Sequence, residues 1–289
     1  QSVIIPKRVT CIGEAAFSNC TSLTEIKLQK RVTCIGEAAF YNCTSLTEIK
    51  LPEGVTSIGR DAFAECTSLT KIKLPEGVTS IGAHAFKGCR SLKSVIIPEG
   101  VKSIGRSAFK GCSSLKSVTI PESVTSIGEG AFCGCASLTE IKLQKGVTSI
   151  GNEAFARCSS LTAIRIPASV TVIGENAFSR CDKLEFIIID NEAAREKICA
   201  LLPRALHNKV ITKVAYRYHL KEKEKIIVSV LSDYLLADGS QNPIRYTPNI
   251  FISCVLPYLN QEKYINENTD LLRIVLSFLS IKDIKKYVP

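Results

Sequence analysis

Residues Val55–Gly77 read VTSIGRDAFAECTSLTKIKLPEG, and this 23-residue unit recurs without insertion. Cys20, Cys43, Cys66, Cys89, Cys112, Cys135, Cys158 and Cys181 stand one period apart, and so do the phenylalanines Phe17 to Phe178 and the glycines Gly13 to Gly174. A fixed period between 20 and 29 residues carrying Leu69-x-x-Ile72-x-Leu74 is the pattern of a leucine-rich repeat solenoid. One such coil leaves apolar residues bare at both ends of its stack, so the array is held by burying them against the next coil.

Within a unit, L-x-x-I-x-L predicts a strand in a parallel sheet. Pro52, Pro75, Pro98, Pro121 and Pro167 follow and end it, because proline cannot donate to the ladder. The glycine of V-T-x-I-G is expected to supply a positive φ where the coil turns. A-F-x-x-C predicts a short helical turn pointing Ala, Phe and Cys inward. The fold class is therefore an α/β repeat: a leucine-rich repeat solenoid of eight 23-residue coils over residues 1–189, followed by a small all-α C-terminal domain over 190–289.

The unit V-T-S-I-G-x-x-A-F-x-x-C-x-S-L-x-x-I-x-L-P resembles the BspA-type, or Treponema pallidum-type, leucine-rich repeat. That resemblance implies a surface adhesin or other host-interaction protein. It implies a secreted or host-delivered location first and a bacterial cell surface second. It says less about the partner, which is chosen by the variable positions and not by the repeated core.

Thirteen cysteines would suggest redox or metal chemistry, but eight belong to the repeat column and read as small buried hydrophobes. Cys11 and Cys34 replace the Ser of V-T-S-I at one register in adjacent coils and are the one candidate bridge. The odd total, with no second framework, points to a reducing compartment. No paired-Cys zinc spacing, H-E-x-x-H, phosphate-binding glycine loop or G-x-S-x-G occurs, so no metal, cofactor or catalytic residue is assigned. The enzyme alternative is a nucleophilic Cys199 or Cys254 with His207 or His219 as base, without a supporting motif.

The chain contains no Met, and Ser2-Val3-Ile4-Ile5-Pro6 repeats Ser94–Pro98, so Gln1 enters mid-coil. This predicts a natural protein extending further toward its N-terminus. No apolar run reaches the roughly 18 residues of a membrane helix. Net charge is +10, from 22 basic and 16 acidic residues over 1–189 and 15 and 11 over 190–289. That spread, with almost no aromatics on the strand face, disfavours nucleic acid as a partner.

Function is expected on the exposed strand positions. The column before the last strand apolar holds Lys27, Lys50, Lys73, Lys142 and Arg165; two positions earlier stand Glu25, Glu48, Lys71 and Glu140. These are the predicted partner-binding residues, opposed to a plain solvated face in which Glu and Lys offset one another.

After Asp190 the pattern becomes helical. Asp190 or Asn191 can cap EAAREKICALL, which Pro203 ends; 208–220 is ambiguous; 221–239 is amphipathic; a further helix is expected near 249–259. Asp270–Ile284, DLLRIVLSFLSIKDI, resembles the opening helices of an F-box, although the usual Leu-Pro before them is Asn268-Thr269 and the later Trp is absent. That resemblance implies an adaptor-binding helix through Leu271, Leu272, Val275, Leu276, Leu279, Asp283 and Ile284 engaging a Skp1-like adaptor. The leading expectation is a non-enzymatic solenoid binding a host protein; the alternative is a substrate-recruiting adaptor for a ubiquitin ligase.

Overall fold

The computed structural model describes residues 1–221. The expected helix at 221–239, beyond its first residue, the one near 249–259, the F-box-like stretch 270–284 and Cys254 lie outside the described residues.

The repeats form two parallel ladders and a column of turns. The longer strands are the predicted L-x-x-I-x-L segments. Glu48–Lys50, Lys71–Lys73, Ser94–Ile96, Ser117–Ile120, Glu140–Leu143, Ala163–Arg165 and Phe186–Ile189 pair in parallel in chain order. Each pairing is offset by one period, as in Ile72 with Val95. Ser2–Ile4 pairs separately with Glu25–Lys27. A second eight-stranded ladder is built from two-residue strands, Cys11–Ile12 through Val172–Ile173, at the V-T-x-I segments.

The A-F-x-x-C segments are turns with a left-handed kink, not the short helical turns expected. Two residues per coil take positive φ instead, Ala38 and Asn42 in one coil and Asp61 and Glu65 in the next. The kinked backbone aims its amides along the solenoid axis: the Phe40 amide donates to Ala62 O at 2.8 Å and the Asn42 amide to Ala64 O at 2.7 Å. A helix would have spent those donors within the coil.

The inward direction of Ala, Phe and Cys is as expected: Ala39, Phe40 and Cys43 are fully buried. Phe17 to Phe178 form one continuous stack, with ring centroids 5.2 Å apart between Phe40 and Phe63 and 5.7 Å between Phe155 and Phe178. Each buried ring contributes about 1.5–3 kcal/mol in removed apolar surface.

The repeat cysteine has a reason of its own. The Cys66 thiol donates to Phe40 O at 3.1 Å in the preceding coil, and Cys89, Cys112, Cys135, Cys158 and Cys181 repeat the bond. A thiol is small enough for the column and still satisfies a buried carbonyl, which Ala or Val cannot.

The V-T-x-I-G glycines also differ from expectation. Positive φ occurs at Gly88, Gly111, Gly130 and Gly134, and at none of the V-T-x-I-G positions. What excludes a side chain there is proximity: a Cβ on Gly82 would lie 2.6 Å from the Gly59 carbonyl carbon, and one on Gly105 2.7 Å from Gly82.

Past the last repeat, Asn191 Oδ1 accepts from the Ala194 amide at 3.1 Å and starts a 3-10 turn, Glu192–Ala194, that runs into the α-helix Arg195–Leu201. In the ambiguous segment, Val210–Thr212 adds a further parallel strand beside Phe186–Ile189, and the chain turns helical at 213. Gln1–Tyr216 forms one compact unit.

Candidate functional site: the outward face of the long strands

Strand alternation puts one side chain of each pair inward and its neighbours outward. Ile49, Ile72, Val95, Val118, Ile141 and Ile164 are buried, and the residues flanking each project outward. The parallel register aligns them in two rows: Glu48 beside Lys71 and Lys50 beside Lys73, then, further along, Glu140 beside Ala163 and Lys142 beside Arg165. Glu25 and Lys27 are exposed on the separate two-stranded piece. The structure thus collects Glu48, Lys50, Lys71, Lys73, Glu140, Lys142 and Arg165 on one sheet.

Electrostatically the face is uneven. Lys73 pairs with Glu53 at 3.7 Å and Lys142 with Glu140 at 3.7 Å, both exposed, and such pairs contribute roughly 0–1 kcal/mol. Arg165 is committed: it clamps Asp190, whose second oxygen accepts from the Ala168 amide at 3.3 Å. Partial burial opposes ionisation of Asp190, but these hydrogen bonds outweigh it and hold its carboxyl below the ordinary value. The sequence reading missed this clamp because Asp190 sits 25 residues from Arg165, beyond the repeat itself.

Two apolar features were also missed as features of the face. Ile96 stands 72% exposed in the row of lysines, beside Lys73. At the far end Ile188 is buried, and Phe186 meets Tyr216 edge-on at 5.4 Å. Ile96 and Phe186 hold the repeat positions of Lys73 and Glu140, so their place on the face follows from the period, but their exposure does not.

Asp61, His84 and Ser107 stand at one register in successive coils, all with positive φ, and Asp61 Oδ1 is 3.5 Å from His84 Nδ1. No Ser107–His84 hydrogen bond forms, and the Ser107 and Ala108 amides are spent on Glu129 O and Gly105 O. No pair of amides there is left to hold an oxyanion. His207 Nε2 is engaged with Leu202 O at 3.0 Å. Among the described residues no group of three or more His, Cys, Asp or Glu could hold a metal ion, and no helix is long and apolar enough to cross a membrane.

Cys11 and Cys34 are joined by a disulfide. The cysteine count pointed to a reducing compartment, whereas this bond is one an oxidising compartment sustains.

A family model of the BspA type leucine-rich repeat region matches residues 1–116 and 79–197, in six copies. Among solved structures, a leucine-rich repeat protein from Bacteroides ovatus ATCC 8483 is 39% identical, over 66% of this chain and 57% of that one, with a TM-score of 0.56. A leucine rich cell surface protein from Faecalibacterium prausnitzii A2-165 is 35% identical over 68% of this chain and 62% of that one, with a TM-score of 0.48. The T. pallidum leucine rich repeat protein is 29% identical over 70% of this chain and 84% of that one, with a TM-score of 0.54. The match spans less than two thirds of the first two chains' own length. No curated protein matches the chain.

Proposed function

The chain belongs to the BspA-type leucine-rich repeat family, and from that premise we propose that it is a non-enzymatic binding protein whose long-strand face takes a protein partner, of host origin. The observation that carries this is the row Lys50, Lys73, Ile96: two exposed cations leading to a bare isoleucine on a rigid sheet. Protein interfaces draw their affinity from a central apolar anchor ringed by polar residues, with surrounding charge setting register and encounter rate. Glu48 and Glu140 give the face mixed sign, which selects a partner of complementary pattern instead of any polyanion.

Amine-reactive cross-linking of the full chain to a host cell-surface protein fraction, followed by mass spectrometry, tests the reading. Cross-links should concentrate at Lys50, Lys71, Lys73 and Lys142, and the Ile96→Asp variant should lose them. Cross-links confined to lysines off this face, or unaffected by Ile96→Asp, would refute it.

A further inference from the structure

A second surface, on the turn side of the coils, departs from the repeat in a way the fold does not require. Three positions per coil follow the buried Phe at spacings of one, four and seven, the first of them buried in the third and sixth coils. In the third coil they hold Ala64, Thr67 and Thr70; in the sixth, Cys133, Ala136 and Thr139. Between them, the fourth coil holds Lys87, Arg90 and Lys93, and the fifth Lys110, Ser113 and Lys116.

The two coils are in direct contact here: the Gly88 amide donates to Lys110 O at 2.8 Å and the Lys116 amide to Lys93 O at 3.2 Å. All five cations are exposed. None has a carboxylate within ion-pairing distance among the described residues, in contrast to Lys73, Lys142, Arg106 and Arg165.

Placing cations there also removes bonds. Thr70 Oγ1 donates to Thr47 O at 3.2 Å and Thr139 Oγ1 to Lys116 O at 3.3 Å, a coil-to-coil bond that Lys93 and Lys116 cannot make through a hydroxyl. Arg90 likewise occupies a column in which Ser113 Oγ and Ser159 Oγ each bond the preceding coil at 3.5 Å. Like charges one coil apart repel. The fold therefore gains nothing from these residues, and a ligand that neutralises them would.

We propose that Lys87, Arg90, Lys93, Lys110 and Lys116 form a binding site for a linear sulfated polysaccharide. The patch has no aromatic platform for stacking bases, as single-stranded nucleic acid sites have. It has no apolar anchor of the kind a protein interface is built around. Four of the five cations are lysines, point charges suited to sulfates at loose geometry and not to the forked recognition arginine provides. The flanking coils carry small neutral residues at these three positions, and Glu65, whose carboxylate lies against Gly88, borders the patch on the third-coil side.

The test is calorimetric titration of the full chain with a heparin oligosaccharide at near-physiological salt, where exposed charges act only over about 8 Å. Lys87→Gln/Arg90→Gln/Lys110→Gln should weaken binding by roughly tenfold or more, while Lys7→Gln/Lys30→Gln/Lys145→Gln, the same change in charge elsewhere, should leave it nearly unchanged. Lys93→Thr/Lys116→Thr restores the residue of the neighbouring coils, so it should weaken binding while keeping or raising the melting temperature. Desulfated heparin should not bind. The proposal is overturned by equal losses in the patch and control variants, by no binding of the unmodified chain, or by tighter binding of a single-stranded oligonucleotide through the same residues.

Discussion

Cys11 and Cys34 are bonded across the first junction between coils, with Cα atoms 4.8 Å apart, at the junction where the long-strand ladder lapses. Glu25–Lys27 and Glu48–Lys50 face each other there with Glu beside Glu and Lys beside Lys, and they do not pair as strands. The covalent link on one side of the coil thus stands opposite an interruption on the other.

Reducing this bond, or replacing both residues with Ser, should cost up to about 3.4 kcal/mol, the loop-closure value for a ring of this length. Hydrogen exchange followed by mass spectrometry should show lost protection concentrated before about residue 35 and little change beyond Val55. Loss spread evenly over the repeats would contradict the assignment of a local staple.

Two glycines of one column should respond unequally to alanine. A Cβ on Gly105 meets Gly82 backbone at 2.7 Å, whereas one on Gly13 meets nothing within 4 Å. Gly105→Ala should force the coils apart and destabilise by about 1–3 kcal/mol, the range for overpacking. Gly13→Ala should change stability by no more than about 0.5 kcal/mol. Denaturant midpoints of the two variants decide it, and comparable losses would show that backbone conformation, not proximity, fixes the column.

The repeat thiols from Cys89 to Cys181 should be inert in the folded protein. Burial pushes Cys89, Cys112, Cys135 and Cys158 far above the ordinary thiol range and Cys181 up to about 11. Raised values mean the thiol stays protonated through neutral and mildly alkaline pH, and the thiolate is the reactive form. Iodoacetamide at pH 8 should label Cys199 and the partly exposed first member of the column, Cys20, and spare Cys89 through Cys181 until denaturant is added. Labelling of Cys112 in the native state would mean the coils open more readily than their packing implies.

The repeat architecture was readable because its determinants recur: one period fixes Leu69, Ile72, Phe63 and Cys66 together. The glycine was misread because a local pattern cannot distinguish a residue that needs positive φ from one that needs an absent Cβ. The contact that decides the matter lies one whole coil away, between Gly105 and Gly82. The A-F-x-x-C turn was misread for a related reason, since its amides bond to the following coil and not within the segment. On the strand face, the sequence identified which residues align, yet not that Arg165 is bound to Asp190 or that Ile96 is bare. Charge showed the same limit. Counted along the chain, the cations look dispersed; only stacking Lys87 on Lys110 and Lys93 on Lys116 brings them together.

The stack of phenylalanines at a nearly constant interval, 5.4 Å between Phe17 and Phe40 and 5.4 Å between Phe63 and Phe86, makes every interior junction interchangeable with the next. A recombination event that gains or loses one period would leave both new neighbours with the contacts they already know. The identical stretches Lys7–Phe17 and Lys30–Phe40 are the kind of template such an event uses. Lineages carrying this gene should accordingly differ in coil number by whole units, sliding surface features past one another like marks on a ruler while the folding problem stays the same.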